Sequence, residues 1–453
     1  MNKKQDINKK LWQKGNKTEP LIESFTTGKD KIFDRKLARY DVLGSLAHAQ
    51  MLAETGIITR EEGNALMKSL LRIYAEIEQY SLAIEDGVED IHSQIERMLT
   101  KETGETGKKI HTGRSRNDQV LLDLRLYFRE EIEKLTTQIH TLFKILIDLS
   151  EKNKETLLPG YTHFQAAMPS SFGLWFAAYA ESLLDDTILL QAVYRIINKN
   201  PLGSAAGYGS SFPLKRSITT RLLGFEDMNY NSVYAQMGRG KTERLIAQVL
   251  SGFAATIGKM AMDICLFNSQ NFNFLQLPDS MTTGSSIMPH KKNPDVFELI
   301  RARCNAMQAL PNTITMIGAN LPSGYHRDWQ ILKEYIFPAL EEMYECLELM
   351  IFALPKIIVN KDIMRDAKYD LCFSVDAVNE LVKNGTPFRD AYHLVAEQIQ
   401  KQTFKKPAQL DHTHEGSMGN LCNDVLKKNM RNILDGFGFK KVKQTLQQLL
   451  EKK

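Results

Sequence analysis

Between Arg114 and Leu158 the chain has neither glycine nor proline, and Leu121, Leu124, Phe128, Ile132, Leu135, Ile139, Leu142, Leu146 and Leu149 recur every three or four positions. That is the helical period, and one helix over the span would reach roughly 60 Å. Pro159-Gly160 closes the run. A second unbroken stretch runs from Leu174 to Asn200 and ends at Pro201. A third, Lys241 to Leu277, holds only Gly252 and Gly258 and ends at Pro278. Two further helical stretches are expected over Pro294–Leu310 and His326–Leu354, the second interrupted at Pro338.

Strand signals are sparse, and no βαβ alternation, short repeat or low-complexity tract interrupts the pattern. Several long stripes, each apolar on more than one side, predict an all-α fold: a long central helical bundle flanked by two smaller, mainly helical domains. The divisions fall at 1–112, 113–362 and 363–453. Stripes too wide to bury within one chain also favour self-association. The glycine-rich stretch "PLGSAAGYGSSFP" (201–213) lies between helices and lacks the strand-then-helix setting of a phosphate cradle, so nucleotide binding there is rejected.

Composition narrows the function classes. The 453 residues have room for about three domains. The 58 basic and 54 acidic residues leave +4, too weak a bias for a nucleic-acid partner but compatible with small anionic ligands. Five cysteines, scattered and without CxxC spacing, read as thiols in a reducing compartment. The opening MNKKQDINKKLWQKG has no apolar segment of signal-peptide type, and no 18-residue run is wholly apolar. A soluble cytoplasmic protein without membrane partners is the expectation.

Candidate chemistry concentrates in "GSSIMPHKKNPDVFELIRAR" (284–303). Asn293 suits a helix N-cap, Pro294 the first helical position and Asp295 the first turn. The preceding loop would then end at the positive pole of a helix, where Lys291, Lys292 and Asn293 favour a carboxylate. Gly284 gives the loop freedom, Ser285 and Ser286 add hydroxyls, and Glu298 faces back toward the helix start. In isolation these are also ordinary loop and capping residues.

The run GSSIMPHKKNP resembles the GSSxMPxKxNP signature of the fumarase/aspartase superfamily, whose members release fumarate from substituted succinates. "HTGRSRNDQV" (111–120), "PGYTHFQAAMP" (159–169), "LWQKG" (11–15), "FDRKLARYDVLGS" (33–45), "EDIHSQIE" (89–96) and "GTPFRDAYHLV" (385–395) are similar, in order, to the argininosuccinate lyase family within it. The resemblance implies a fumarase/aspartase-like fold and a cofactor-free β-elimination of argininosuccinate to arginine and fumarate, the last step of arginine biosynthesis. It also implies a homotetramer whose active sites are each completed by loops from three subunits.

Residue roles follow from the same resemblance. Ser285 is the base, and Lys291 supplies charge that favours its alkoxide. His163 lies beside Glu298; that dyad either protonates the departing guanidino nitrogen or steadies the intermediate. Arg116, Asn117, Thr162 and Lys291 match the fumarate side, Tyr325, Gln330 and Lys333 the arginine side, and Asn293 is a further substrate-binding residue. Asp90 and Arg239 are further substrate contacts. Asp90 and His92 also read as cap residues, Arg116 and Asn117 as the opening of the longest helix, and His111 and His140 as structural. "DHTHEG" (411–416) hints at a metal through two histidines, but the spacing lacks a third ligand and no metal is expected.

The chain departs from the family pattern at several positions. Asp30 stands where a substrate-binding serine is usual, and His290 where glutamine is common. "SSFGLW" (170–175) lacks a histidine, Ile331-Leu332 replaces an acidic pair, and Arg239 sits in "MGRGK" without the usual acidic flanks. Two alternatives stand beside this reading: another fumarate-releasing lyase, such as one acting on adenylosuccinate, and a non-catalytic crystallin-like structural protein.

Overall fold

In the computed structural model, residues 19–80, 82–85 and 88–451 are described; the LWQKG motif lies outside them. Five helices make the central bundle: α1 (Arg116–Lys152), α2 (Phe172–Ile197), α3 (Lys241–Phe267), α4 (Asp295–Met307) and α5 (Lys333–Ala353). The all-α expectation holds. Helices before α1, including Ala38–Glu54, Arg60–Gln79 and Ile91–Thr103, pack on one end of the bundle. The last part of the chain is a set of shorter helices.

Each bundle helix has a local cause. Ser115 caps α1 through a capping box: its hydroxyl accepts from Asn117 N at 3.3 Å, and Asp118 Oδ1 accepts from Ser115 N at 2.8 Å. The stripe read from the sequence is the buried face, with Leu121, Phe128, Leu135, Ile139 and Leu146 all in the core. Direction follows from the pairings along the helices. Trp175 and Tyr179, early in α2, donate to Asp263, late in α3. Arg303 of α4 pairs with Glu345 of α5. Tyr127 and Phe128 of α1 meet Phe337 of α5, and Tyr344 of α5 donates to Glu131 of α1 at 2.9 Å, so these two helices run parallel. Thus α1, α3 and α5 run one way and α2 and α4 return.

Several boundaries differ from expectation. The first helix ends at Lys152 instead of Leu158, where Asn153 caps it by donating its side chain to Leu149 O. Beyond it β1 (Leu157–Thr162) pairs antiparallel with β2 (Gln165–Ser171). Pro159 faces Pro169 across this two-stranded ribbon, where no third strand requires their missing N–H groups. The third helix stops at Phe267, and Leu275–Gln276 pairs with Ile358–Val359 instead of prolonging it. Pro338 does not interrupt α5, which runs through it; the carbonyl it leaves without a donor is that of Glu334 in the half-buried first turn.

The helix expected from Pro294 begins at Asp295, with Pro294 as its cap. Asn293 is not the N-cap, because its backbone pairs with Thr283 in both directions at 2.8 and 3.2 Å.

Among the described residues α3 alone is long and apolar enough to cross a membrane by length and composition; 50% of its most apolar stretch is buried in the bundle. Apolar side chains remain exposed on four bundle helices: Ile188 and Leu189 on α2, Met262 on α3, Leu299 on α4, and Leu349 and Phe352 on α5.

Candidate active site

At the end of the bundle where α1, α3 and α5 begin, a cleft of about 1250 Å³ opens toward the N-terminal helices. It gathers seven of the residues singled out in the sequence: Asp90, Arg116, Asn117, Arg239, Tyr325, Gln330 and Lys333. Arg116 is aimed by Ser93, Gln119 and Asp90, with donor–acceptor distances of 3.0, 3.2 and 3.4 Å. Asp90 does cap the helix Ile91–Thr103, accepting from Ser93 N at 2.7 Å. Burial opposes its charge, but Arg116 and His92 outweigh that and hold its carboxyl below the usual range. The half-buried amide of Asn117 and the hydroxyl of Tyr325 have no side-chain partner among the described residues, so both are available to a ligand.

Three other cleft residues are already engaged. Gln330 donates to the carbonyls of Thr26 and Thr27 at 3.0 and 3.3 Å, fastening the short N-terminal helix Pro20–Thr27 to the segment before α5. Arg239 is fully buried; it pairs with buried Glu243 and donates to Trp329 O at 2.7 Å, leaving only Nε without a partner. Lys333 is also buried, 2.8 Å from Asp30 and 2.5 Å from Asp34. The solvated lysine that a helical stretch would suggest is instead an interior cation held by two carboxylates.

Beneath Arg116 lies a network that sequence reading missed. His92 is not a cap but a buried imidazole whose Nδ1 is 2.9 Å from Asp41 and 3.3 Å from Asp123. Gln119 donates to the same Asp41 oxygen at 3.2 Å. Burial and the adjacent Asp41 push the Asp123 carboxyl well up, whereas His92 and two arginines outweigh burial at Asp41 and hold it down. This is the one metal-like grouping among the described residues. The expected hint at 411–416 resolves otherwise: His412 pairs with Asp376 at 2.6 Å and His414 turns to the Glu415 carbonyl. The motifs EDIHSQIE, FDRKLARYDVLGS and HTGRSRNDQV contain His92, Asp41 and Gln119, but nothing local in them shows that the three side chains meet, and Asp123 lies in none of them.

The remaining candidates lie at the far end of the bundle. The 37 residues of α1 put its ends about 55 Å apart. Thr162 and His163 occupy the exposed tip of the β1–β2 hairpin. Its two-residue turn, His163 and Phe164, has φ of 54° and 59°, left-handed values that non-glycine residues take at a cost of about 1–3 kcal/mol each. A turn built from an imidazole and an exposed phenyl, where Asn-Gly would be easier, trades stability for what those side chains present.

The serine loop begins near the same end, closed by the Thr283–Asn293 bridge. Ser285 Oγ accepts from the backbone N–H groups of Met288 and Ile287 at 3.2 and 3.4 Å. Two donors on one hydroxyl oxygen favour its alkoxide form. Lys291 is exposed without a side-chain partner among the described residues, but Lys292 is turned aside to Asp279. Gly284 has open space on the side where a Cβ would project.

Within one chain, Glu298 and His163 do not meet. Both are exposed, and no hydrogen bond or ion pair joins them, because the hairpin carries His163 beyond the bundle while Glu298 stays on α4. The site residues thus form two half-sites, cationic and amide groups at one end and the serine, lysine and histidine at the other.

Residues 13–308 match the profile of a family described as "Lyase". The chain is 55% identical over 441 residues to a protein from Parabacteroides distasonis named argininosuccinate lyase, spanning 97% of this chain and 99% of that one. It is 56% identical over 444 residues to another of that name from Bacteroides fragilis, spanning 98% and 99%. Among solved structures, an EDDS lyase in complex with formate superimposes with a TM-score of 0.74 over 97% of both chains at 22% identity, a likeness of fold.

Proposed function

The chain belongs to the argininosuccinate lyase family, and from that premise we propose that it splits argininosuccinate into arginine and fumarate by β-elimination, in the last step of arginine biosynthesis. The observation that carries the reading is the match of 55–56% identity along nearly the whole length of both sequences. It favours this substrate over adenylosuccinate and an active enzyme over a structural relative.

The chemistry asks for a base at a carbon beside a carboxylate and for donors that hold the charge which develops there. We assign the base to Ser285, whose oxygen already receives two backbone N–H groups. The serine takes the proton, the electron pair forms the new C=C bond, and the C–N bond breaks. The departing guanidino nitrogen takes a proton from an acid. Arg116, Asn117, Thr162, Lys291 and Asn293 hold the succinate carboxylates, and His163 with Glu298 stands at the reacting centre. Tyr325, Gln330 and Lys333 bind the arginine side, with Asp90 and Arg239 supporting the cleft. No cofactor is invoked.

For the half-sites to act together, separate copies must bring them together, and we propose a cytoplasmic homotetramer with shared active sites. Supporting this are the separation of about 55 Å along α1 and the exposed apolar side chains on four bundle helices. The test of the reaction is incubation of purified protein with argininosuccinate, following fumarate by ultraviolet absorbance and arginine by chromatography. Equimolar fumarate and arginine are expected; fumarate from adenylosuccinate but not from argininosuccinate would overturn the reading.

A further inference from the structure

Partway along α1 lies a second cavity, of about 820 Å³, walled by α1, the helix Ala38–Glu54 and the last helix, Phe439–Leu450. Arg129 on its wall is about 20 Å along α1 from Arg116. Leu43, Leu126, Val442 and Leu446 make part of the lining apolar, and the volume is that of a small-molecule site. The more exposed cations of the lining are matched. Arg39 lies 3.4 Å from Glu78 and 3.5 Å from Glu130, and Lys134 and Lys443 lie 2.8 Å from Glu131 and Glu133. Glu130 also accepts from the Tyr40 hydroxyl at 3.0 Å.

Arg129 is the exception. It is buried, and its guanidinium donates to Asn198 Oδ1 at 3.3 Å and to Leu223 O at 3.0 Å, with its carbon 4.4 Å from the centre of the Phe225 ring. Both acceptors are neutral, and no carboxylate among the described residues pairs with it. Its Nε has no hydrogen-bond partner, and neither has the hydroxyl of Tyr194, another buried residue of the same wall. Burial pushes Arg129 down from 12.5 to about 10, so it stays charged at neutral pH. Burial also pushes Tyr194 up to about 12, so its hydroxyl keeps its proton. An interior cation balanced only by neutral groups is costly. Because water does not cover it, its field reaches the cavity through a wall of low dielectric.

We propose that this cavity is a second ligand site, which takes a compact apolar molecule bearing one carboxylate, seated with the carboxylate toward Arg129 and Tyr194 and the hydrocarbon on the leucines. The unmatched cation asks for an anion, and its being single asks for one carboxylate. Fumarate has two carboxylates and no apolar body, and arginine would bring further positive charge, so neither suits the cavity. The site is therefore for a molecule other than the reactants of the cleft.

The probe is 3-phenylpropanoate, with its uncharged primary amide as control, each titrated calorimetrically into the whole wild-type protein. The acid should bind with a Kd of about 1 mM or tighter, and at least about fivefold more tightly than the amide, since an interior charge acts on one and not the other. Leu446→Trp, which fills the cavity from the last helix, should weaken the acid at least about fivefold and leave fumarate release from argininosuccinate unchanged. Arg129→Gln should bring acid and amide to the same affinity. A wild type that does not bind the acid, or that prefers it by less than about fivefold, overturns the inference. So does a folded Leu446→Trp protein that binds the acid as the wild type does, or a folded Arg129→Gln protein that keeps the wild-type preference. Should Arg129→Gln fail to fold, the wild-type preference and Leu446→Trp decide between them.

Discussion

Arg239 offers a sharp test of what the cleft residues do, because resemblance assigns it to substrate and the structure commits it to Glu243. Both side chains are almost wholly buried, four residues apart on adjoining turns. Glu243 also accepts from Gly240 N at 2.8 Å, closing the start of α3. Glu243→Gln would leave the guanidinium buried without its counter-charge, a loss of about 3–5 kcal/mol for a broken interior pair. With a urea m-value of about 3 kcal/mol/M, the unfolding midpoint falls by about 1 M or more. Arg239→Met should cost a similar amount, because it strands the carboxylate. The double variant Arg239→Met with Glu243→Leu should recover most of the loss, since an apolar pair of similar volume replaces an ionic one. Midpoints are compared at one protein concentration, as assembly contributes to stability, and KM is measured on each variant. If Arg239→Met shifts the midpoint by less than about 0.2 M while KM rises about tenfold or more, the arginine grips substrate and the structural account is wrong.

Other outcomes follow from the same geometry. Ser285→Ala should lower kcat by about three orders of magnitude or more while leaving the oligomer intact, and Ser286→Ala should cost far less; equal losses would displace Ser285 as base. Leu299→Glu combined with Phe352→Lys, on exposed apolar faces of α4 and α5, should reduce the tetramer by light scattering and abolish activity in parallel; a fully active monomer would remove the case for shared sites. Burial, with Arg114 and Arg116 nearby, pushes His111 from an ordinary value of 6.5 down to about 4. Its contribution to stability is therefore present above pH 6.5 and is lost as pH falls toward 4. His111→Asn should flatten that part of the urea-midpoint profile against pH, and an unaltered acid limb would contradict the assignment.

The sequence disclosed the bundle because its information is periodic and local: the stripe from Leu121 to Leu149 is the buried face of α1. The hairpin escaped because Leu157 and Leu158 continue the apolar run past the true end of the helix, and only the cap at Asn153 marks the change. Asn293 was misplaced for a related reason, since a good capping side chain gives no sign that its backbone is already paired with Thr283. The Asp30–Lys333–Asp34 trio joins residues 299 or more positions apart, and nothing local at Lys333 separates an interior cation from a solvated one. Asp123 was invisible on the same ground, and Asp41, although it falls within FDRKLARYDVLGS, looks like an ordinary acid until the helices that carry the two are packed.

The length of α1 also limits what mutation can do to this protein. Removing one residue from its interior would turn everything beyond by about 100° and shift it by about 1.5 Å, so the hairpin would point elsewhere while Arg116 stayed in place. Even a seven-residue insertion, which nearly restores the turn, would push the two ends about 10 Å further apart. Substitutions can accumulate along this helix, but its residue count is held fixed from both ends.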